Sequence, residues 1–281
     1  MKARVLSWLI LPLIVFTSAI AAPPSDAGWK RIDDGLHYGI FDVSAPRVVD
    51  KAKILVIRID PGLYEFSLLA ASELRLPAGS LTVKEWADKY RLVAAINAGM
   101  FQEDLKTNVG YMKNYGHINN PRLHRKYASV FAFNHKTAGA PPMIWDTDAK
   151  QLKQIINEYH TVIQNLRLIK RPGLNRWGPQ ENRWSEAALG QDEAGNLLFI
   201  FSKSPLSMHD LGNILLALPI GIACAQHLEG GSQASLYLRH RGVEIKEVGA
   251  SDLVMTVSRA NDGFLPIPNV IGIKKKKSTK P

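Results

Sequence analysis

Short runs of apolar and β-branched residues, bounded by glycine, proline or polar turns, recur along most of the chain. Such runs are typical of β-strands. The pattern predicts strands at residues 54–59, 64–69, 92–96, 127–133, 162–169, 197–201, 236–238 and 253–257.

Three stretches have helical patterns instead. Thr82 and Glu85 have the spacing of a capping box, which predicts a helix that runs to about Tyr90. Apolar residues at helical spacing predict a second helix at residues 149–159. Ser207 is a typical N-cap and predicts a third helix, which ends before the next proline.

The order of these elements decides the fold class. Strands and helices are interleaved without a regular βαβ rhythm, and no internal repeat is visible. We therefore expect an α+β fold, a single compact domain with a mixed β-sheet and interspersed helices. Residues 114–126 and 171–183 are predicted loops, and the second has the length of a flap over a site.

The N-terminus has the three parts of a secretory signal peptide. Lys2 and Arg4 are followed by a mostly apolar run at residues 5–16 and by small residues before position 22. The apolar run is short for a membrane span, and two prolines follow it. We expect cleavage after residue 21 and export to the periplasm or medium, with no stable membrane span afterwards; an uncleaved N-terminal anchor is the alternative.

Charge and cysteine content restrict the possible disulfides and binding partners. Cys224 is the only cysteine, so an intrachain disulfide is excluded, and its apolar surroundings predict a buried side chain. The formal net charge is +10, but five lysines lie within the last eight residues. We expect residues 22–273 to form the domain and residues 274–281 a basic disordered tail that contacts anionic envelope polymers. No nucleic-acid-binding motif occurs, so nucleic acid is not expected as a partner.

Three segments carry polar residues and glycines where a predicted strand begins or ends. Asn97 and Gly99 follow the strand at residues 92–96, Glu186 begins a predicted hairpin, and Glu229 precedes two glycines. The alternative for each segment is an ordinary turn with no functional role, since asparagine and Gly-Gly are common in turns. Carboxylates and amides beside glycine backbone are also suited to hydrogen-bond with sugar hydroxyls and phosphates.

In this order, the three segments resemble the phosphodiester glycosidase domain family over about residues 50–258. The matching stretches are Asn97-Ala98-Gly99, Ala188-Leu189-Gly190 with Gly195-Asn196-Leu197, the helix start at Ser207-Met208-His209-Asp210-Leu211, and Leu228-Glu229-Gly230-Gly231-Ser232. Three positions depart from the family pattern. Glu229 replaces an aspartate, Ser232 a glycine, and Glu186 an arginine.

The resemblance implies an exported hydrolase that cleaves a glycosyl phosphodiester or a related envelope glycan. Glu229 is the expected catalytic carboxylate, with Glu186 as its partner. The alternative is a non-catalytic relative that binds glycans in the same cleft. The residues expected to bind substrate are Asn97, Gly99, Gly230, Gly231, Ser232 and His209.

His209 is expected to meet a phosphate at the N-terminus of the third helix, although a solvent-facing histidine is the simpler interpretation. The sequence has no zinc or EF-hand motif and predicts no certain cofactor. A divalent cation held by Glu229 and backbone oxygens remains an open alternative.

Overall fold

The computed structural model describes residues 28–45, 51–79, 81–250 and 263–277. About half of these residues lie in strands, and every strand pairing among them is antiparallel. The strands are β1 Trp29–Asp33, β2 Leu36–Val43, β3 Ala52–Ile59, β4 Tyr64–Ala70, β5 Ala94–Asn97, β6 Met112–Asn114, β7 His117–Asn120, β8 Ser129–His135, β9 Met143–Asp146, β10 Tyr159–Lys170, β11 Leu174–Asn175, β12 Trp184–Asp192, β13 Leu197–Leu206, β14 Ile222–Gly230, β15 Ser235–His240, β16 Val243–Val248 and β17 Asn269–Lys275.

Two sheets pack face to face. The larger has twelve strands, with the central order β1-β2-β3-β13-β12-β14-β10-β6-β7, and the smaller has five in the order β16-β15-β5-β17-β4. The main core lies between them and includes Ile57 and Phe199 from the large sheet and Ile96, Leu236 and Ile271 from the small one. Three helices, α1 Val83–Tyr90, α2 Leu152–Glu158 and α3 Met208–Ala217, accompany the sheets. The fold is thus a single α+β domain, as expected, and it is built mainly from two antiparallel sheets rather than from one mixed sheet.

The helices bury the outer faces of the sheets. On β13, Leu197 and Phe199 point into the main core, whereas Leu198 and Ile200 pack in the cluster that includes Leu211 of α3. A strand covered on both faces has a continuous apolar run rather than alternation. That burial explains why residues 197–201 are apolar without interruption.

The predicted helix caps are confirmed. The side chain of Thr82 accepts a hydrogen bond from the backbone N–H of Glu85, and Glu85 accepts one from the backbone of Thr82 at 2.8 Å. Ser207 caps α3 by accepting from the N–H of Asp210. The second helix is shorter than expected and begins at Leu152.

Two predicted boundaries are corrected. Residues 114–126 are not all loop, because His117–Asn120 forms the short polar strand β7, which has no apolar alternation to reveal it. The basic tail does not begin at residue 274, because Lys274 and Lys275 belong to β17, where Lys275 pairs with Tyr64 of β4. The predicted strand at residues 253–257 and the predicted signal peptide lie outside the described residues.

Cys224 is buried, as predicted, and burial raises the pKa of its thiol to about 12. It lies in β14 on the face that meets the main core. A thiol with so high a pKa is a weak nucleophile at neutral pH, so Cys224 acts as a small core residue.

Candidate functional site

Sheet pairing joins the second and third sequence segments. Strands β12 and β14 are neighbours in the large sheet, and Glu186 lies opposite Gly230 while Ala187 lies opposite Glu229. The register shifts after this pair, so that Ala188 lies opposite His227. Residues far apart in the sequence therefore meet at one end of these two strands.

Glu186 is almost fully buried, with 1% of its surface exposed, and both carboxylate oxygens are engaged. One oxygen contacts Nδ1 of His227, and the other accepts a hydrogen bond from the indole N–H of Trp184 at 2.8 Å. A carboxylate with both oxygens occupied by the protein holds its neighbours in place. Glu186 therefore orients His227.

His227 was not identified by the sequence analysis. Burial alone lowers its pKa, but the charge of Glu186, the hydrogen bond to it and the charge of Glu229 outweigh burial and raise the pKa above its usual value. The imidazole is therefore protonated more readily than a free histidine. No alternation in the sequence marks it, because the register shift between His227 and Glu229 interrupts the alternation of faces along β14.

Glu229 lies at the end of β14 and is half-buried. Burial and, to a smaller extent, the charge of Glu186 raise its pKa, while His227 and the backbone N–H of Gly230 oppose the shift, and the pKa is raised to about 7. That N–H donates to Oε1 of Glu229 at 3.0 Å. The carboxyl group therefore changes protonation state near neutral pH, where an ordinary glutamate is fully ionised.

Glycine occupies each of the two positions after Glu229 for a different structural reason. A Cβ on Gly230 would lie 2.5 Å from the indole ring of Trp184, so a side chain there would displace the residue that holds Glu186. Gly231 has φ of +68°, and no atom of the described residues lies within 4 Å of the position that its Cβ would take. Ser232 follows in a single 3₁₀ turn and is half-buried.

Asn97 reaches this region from the small sheet. Its Nδ2 donates to the carbonyl of Gln233 at 3.0 Å, and its Oδ1 accepts from the backbone N–H of Ser235 at 2.8 Å. The residue is almost fully buried. The structure thus places the first and third segments together, but the amide of Asn97 holds the backbone after the glycine turn.

The space beside Gly99 is occupied by protein. A Cβ there would lie 2.4 Å from Oδ1 of Asn165 and 2.7 Å from Oδ1 of Asn108. Both oxygens are buried without a hydrogen-bond partner among the described residues. The glycine allows these two amides to approach the backbone, which differs from the expected approach of a ligand.

His209 lies in the first turn of α3, and its ring nitrogens contact Asp210 at 3.3 Å and Asn213 at 3.3 Å. Asp210 also pairs with Arg183 at 2.9 Å. The helix N-terminus thus already carries the Ser207 cap and a carboxylate. Its local charge is less favourable for a phosphate than the sequence suggested.

Tyr127 is a further neighbour that the sequence analysis placed only in a strand. Burial raises the pKa of its hydroxyl, and the negative charge of Glu229 raises it further, which places the two groups within electrostatic range. The hydroxyl also approaches Sδ of Met100 at 3.9 Å. Met100 follows Gly99, so Tyr127 connects the first segment to Glu229.

The described residues contain neither a metal-binding cluster of ionisable side chains nor a membrane-spanning helix. No group of three or more His, Cys, Asp or Glu side chains is arranged to hold a metal ion there. In the same parts of the chain, no helix has the length and apolar character needed to cross a membrane.

Solved structures resemble this fold at low sequence identity. A hypothetical protein from Synechocystis matches with a TM-score of 0.59 and 15% identity, covering 91% of this chain, which spans only 64% of that longer chain. The catalytic domain of zebrafish N-acetylglucosamine-1-phosphodiester alpha-N-acetylglucosaminidase, auto-inhibited by its pro-peptide, matches with a TM-score of 0.58 and 15% identity over 86% of this chain and 84% of its own.

A protein from Burkholderia pseudomallei K96243 matches with a TM-score of 0.55 and 10% identity, over 79% of this chain and 74% of its own. No curated protein matches the sequence. The family model of phosphodiester glycosidases matches residues 90–274, which include Asn97, Glu186, His227 and Glu229. The chain therefore belongs to the phosphodiester glycosidase family.

Proposed function

We propose that this chain is an exported hydrolase that cleaves a glycosyl phosphodiester or related envelope glycan, with Glu229 as the carboxylate at the reacting centre. The observation that carries the proposal is a half-buried carboxyl group with a pKa of about 7, beside the pair formed by His227 and Glu186. Carboxyl groups perturbed in this way by burial and specific charged neighbours are frequent at catalytic sites.

In the proposed reaction, the bond between the anomeric carbon and the phosphate oxygen breaks, and a phosphate monoester leaves with the bonding electrons. The oxygen of water forms the new bond to the anomeric carbon, and Glu229 accepts the proton of that water. The carboxylate also stabilises the positive charge that develops on the sugar. A phosphate monoester is an acidic leaving group, so it needs less protonation than the alcohol released by an ordinary glycosidase.

His227 supplies a hydrogen-bond donor in this scheme. His227 is buried, its raised pKa favours the imidazolium, and Nδ1 contacts Glu186. In the proposed complex, Nε2 donates to a phosphate oxygen of the leaving group. A fixed donor at the site of developing negative charge stabilises the transition state without having to reorganise. Glu186 is a positioning residue, because its own oxygens contact His227 and Trp184.

The glycine turn allows the substrate to approach the backbone closely. The open side of Gly231 allows a sugar to contact the backbone, and Ser232 follows it in the same turn. Asn97 positions this turn through Gln233 and Ser235. Gly99 and His209 have no direct role in the proposal, because protein groups already occupy their contacts.

The export part of the proposal rests on the pattern of residues 1–21. Expression of the full chain in a bacterial host, followed by N-terminal sequencing of the protein from each compartment, tests it. We expect a mature chain that begins at residue 22 outside the cytoplasm; a full-length chain in the cytoplasm would contradict export.

The enzymatic part is tested by incubating the mature chain with a panel of sugar-1-phosphodiesters and measuring release of free sugar and phosphate monoester. Parallel reactions with added divalent cations and with a chelator determine the metal requirement. Glu229→Gln keeps the shape but removes the charge, so we expect turnover to fall at least about 100-fold, the scale of a positioned acid–base group. Glu193→Gln is the matched control, since Glu193 is an exposed glutamate in the β12–β13 turn.

Turnover of Glu229→Gln at the wild-type rate would show that Glu229 is not the catalytic carboxylate. Binding of sugar phosphodiesters without any cleavage would favour the non-catalytic glycan-binding alternative. Equal loss in Glu193→Gln would attribute the effect to the general loss of a negative charge.

A further inference from the structure

Two buried asparagine side chains, those of Asn108 and Asn165, converge beside Gly99. Asn108 lies opposite Phe101 in an isolated bridge, Asn165 lies in β10, and each has 0% of its surface exposed. A Cβ on Gly99 would lie 2.4 Å from Oδ1 of Asn165 and 2.7 Å from Oδ1 of Asn108. Three separate segments of the chain thus direct two amide oxygens towards one point in the interior.

The orientation of both amides is fixed by their nitrogens. Nδ2 of Asn165 donates to the carbonyl of Ala98 at 2.9 Å, and Nδ2 of Asn108 donates to the carbonyl of Gly110 at 3.0 Å. Exchanging oxygen and nitrogen in either amide would place an oxygen against a carbonyl oxygen. Both Oδ1 atoms are therefore correctly assigned, and neither has a hydrogen-bond partner among the described residues.

The neighbouring amides are satisfied by the protein. Both polar atoms of the side chain of Gln164, the residue before Asn165, form hydrogen bonds with backbone groups. Oδ1 of Asn119 accepts from the backbone N–H of Asn108 at 2.7 Å, and its Nδ2 donates to the carbonyl of Lys106 at 2.9 Å. Burying an acceptor without a partner is costly, and these neighbours avoid that cost. The two oxygens beside Gly99 therefore indicate a bound group.

The groups that converge are suited to a cation. The nitrogens of Asn108 and Asn165 are both directed to backbone carbonyls, so the two side chains offer acceptors only. A buried water usually makes about three hydrogen bonds, and here it would receive no donor from these amides. A cation requires acceptors alone, and carbonyl oxygens replace the hydration shell of an alkali ion.

The neutrality of both ligands selects the charge of the cation. Calcium and magnesium sites contain carboxylates, which offset the charge of a divalent ion. The described residues have no group of three or more His, Cys, Asp or Glu side chains arranged around a metal. Neutral carbonyl oxygens instead hold potassium in selective sites. A monovalent ion therefore fits these two amides.

We propose that Asn108 and Asn165 bind a monovalent alkali cation, sodium or potassium, beside Gly99, with water completing its coordination shell. The ion connects the loop after β5 to β10 and to the segment that contains Asn108. It thereby stabilises the end of β5, where Asn97 holds the backbone of Ser235. The site requires no catalysis and does not depend on the proposed function.

Thermal unfolding of the chain in sodium, potassium or choline chloride at equal ionic strength tests this proposal. Choline is too large for the site, so we expect the midpoint of unfolding to rise only with sodium or potassium. The rise should saturate, and it should reach about 3–5 °C at a tenfold excess of cation over Kd. The sodium NMR line should broaden when the chain is added, and potassium should reverse the broadening. The cation with the larger rise is the better fit.

Gly99→Ala fills the space between the oxygens. The backbone of Gly99 is not left-handed, so alanine is compatible with its conformation, but the new Cβ displaces the ion. We expect the cation-dependent rise to disappear. Gly178→Ala is the matched control and should keep the full rise, since no described atom lies within 4 Å of its Cβ position. Asn165→Leu removes one of the two oxygens and is the second variant, with the same expected loss.

Several outcomes would overturn the proposal. Equal midpoints in choline, sodium and potassium chloride would assign the space to water, whether or not the variants fold. A full rise in Gly99→Ala, or an equal loss in Gly178→Ala, would show that the cation acts elsewhere. A larger rise with calcium chloride than with either alkali chloride would refute a monovalent ion. The presence or absence of phosphodiester cleavage changes none of these outcomes.

Discussion

Two buried carboxylate clusters in this molecule show opposite behaviour. Asp33, at the end of β1, is surrounded by basic side chains: Nζ of Lys275 at 2.6 Å, Nε2 of His240 at 2.8 Å and Nε of Arg241 at 3.0 Å. The hydrogen bonds from Lys275 and His240 hold the pKa of Asp33 well below its usual range. The cluster connects the edge of the large sheet to the small sheet.

The cluster at the candidate site has the reverse balance. Glu186 and Glu229 share a single imidazole, that of His227, and burial raises the pKa of Glu229 to about 7. At Asp33 the protein stabilises the charged form, whereas at Glu229 it disfavours that form. Stabilising contacts and functional groups thus use the same residue types with opposite charge balance, and functional sites often reduce stability for this reason.

The largest expected effect is on turnover, which depends on the cluster at Glu229 and not on the cluster at Asp33. Because the proposed role of Glu229 requires the carboxylate form and that of His227 requires the imidazolium, turnover should rise with pH to a maximum and fall again as His227 loses its proton. At pH 5, two units below the pKa of Glu229, about 1% of the carboxylate remains, so the rate should be lower than the maximum by up to about 100-fold. A pH profile of turnover measures this, and a rate that increases towards pH 5 would instead make Glu229 a proton donor.

The second effect concerns stability at the site. The folded chain holds the Glu229 proton up to about pH 7, while the unfolded chain releases it near pH 4.3. The folded state therefore loses stability as pH rises through this interval. Glu229→Gln should raise the free energy of unfolding by roughly 2 kcal/mol at pH 8 and change it little at pH 4.

Urea unfolding at the two pH values checks this prediction, with Glu193→Gln as the exposed control. A variant that is less stable than wild type at pH 8 would contradict the unfavourable burial of the Glu229 carboxylate.

The third effect has the opposite sign and belongs to Asp33. Asp33→Asn should cost about 1–2 kcal/mol at pH 7, because a charged hydrogen-bond acceptor is lost while its partners remain partly hydrated. The folded pKa is lowered, so the contribution is present above the unfolded pKa of about 3.9 and disappears as pH falls through the folded pKa.

Thermal or urea unfolding between pH 7 and pH 2 measures the loss. Asp42→Asn, an exposed position on β2, serves as control and should change stability little. A cost for Asp33→Asn that persists unchanged at pH 2 would show that the ion pairs are not its cause.

The smallest effect tests where the basic tail begins. Lys275→Met removes one ion pair with Asp33 and should cost about 0.5 kcal/mol, less at high salt. Lys277→Met should have no effect, since Lys277 is exposed outside β17. Equal results for the two variants would support a solvated tail from residue 274 onwards.

The sequence predicted a large part of the local structure. The strand at residues 54–59, the capping box at Thr82, the cap at Ser207 and the hairpin of β12 and β13 were all identified correctly. Each depends on residues within a few positions of one another, so the pattern is visible in the chain itself. The polar strand β7 was missed because pairing, and not apolar alternation, defines it.

At the candidate site, local sequence features identify some of the residues and not others. The order of strand-end motifs indicated the family and selected Glu229, because a carboxylate followed by two glycines is a local feature. Only the tertiary structure determined which residues contact one another at the site. Register between β12 and β14 joins Glu186 to His227, and the pairing of β5 with β15 within the small sheet directs Asn97 to the backbone of Ser235. The pKa of Glu229 follows from burial and charges contributed by distant segments, and no local pattern encodes these.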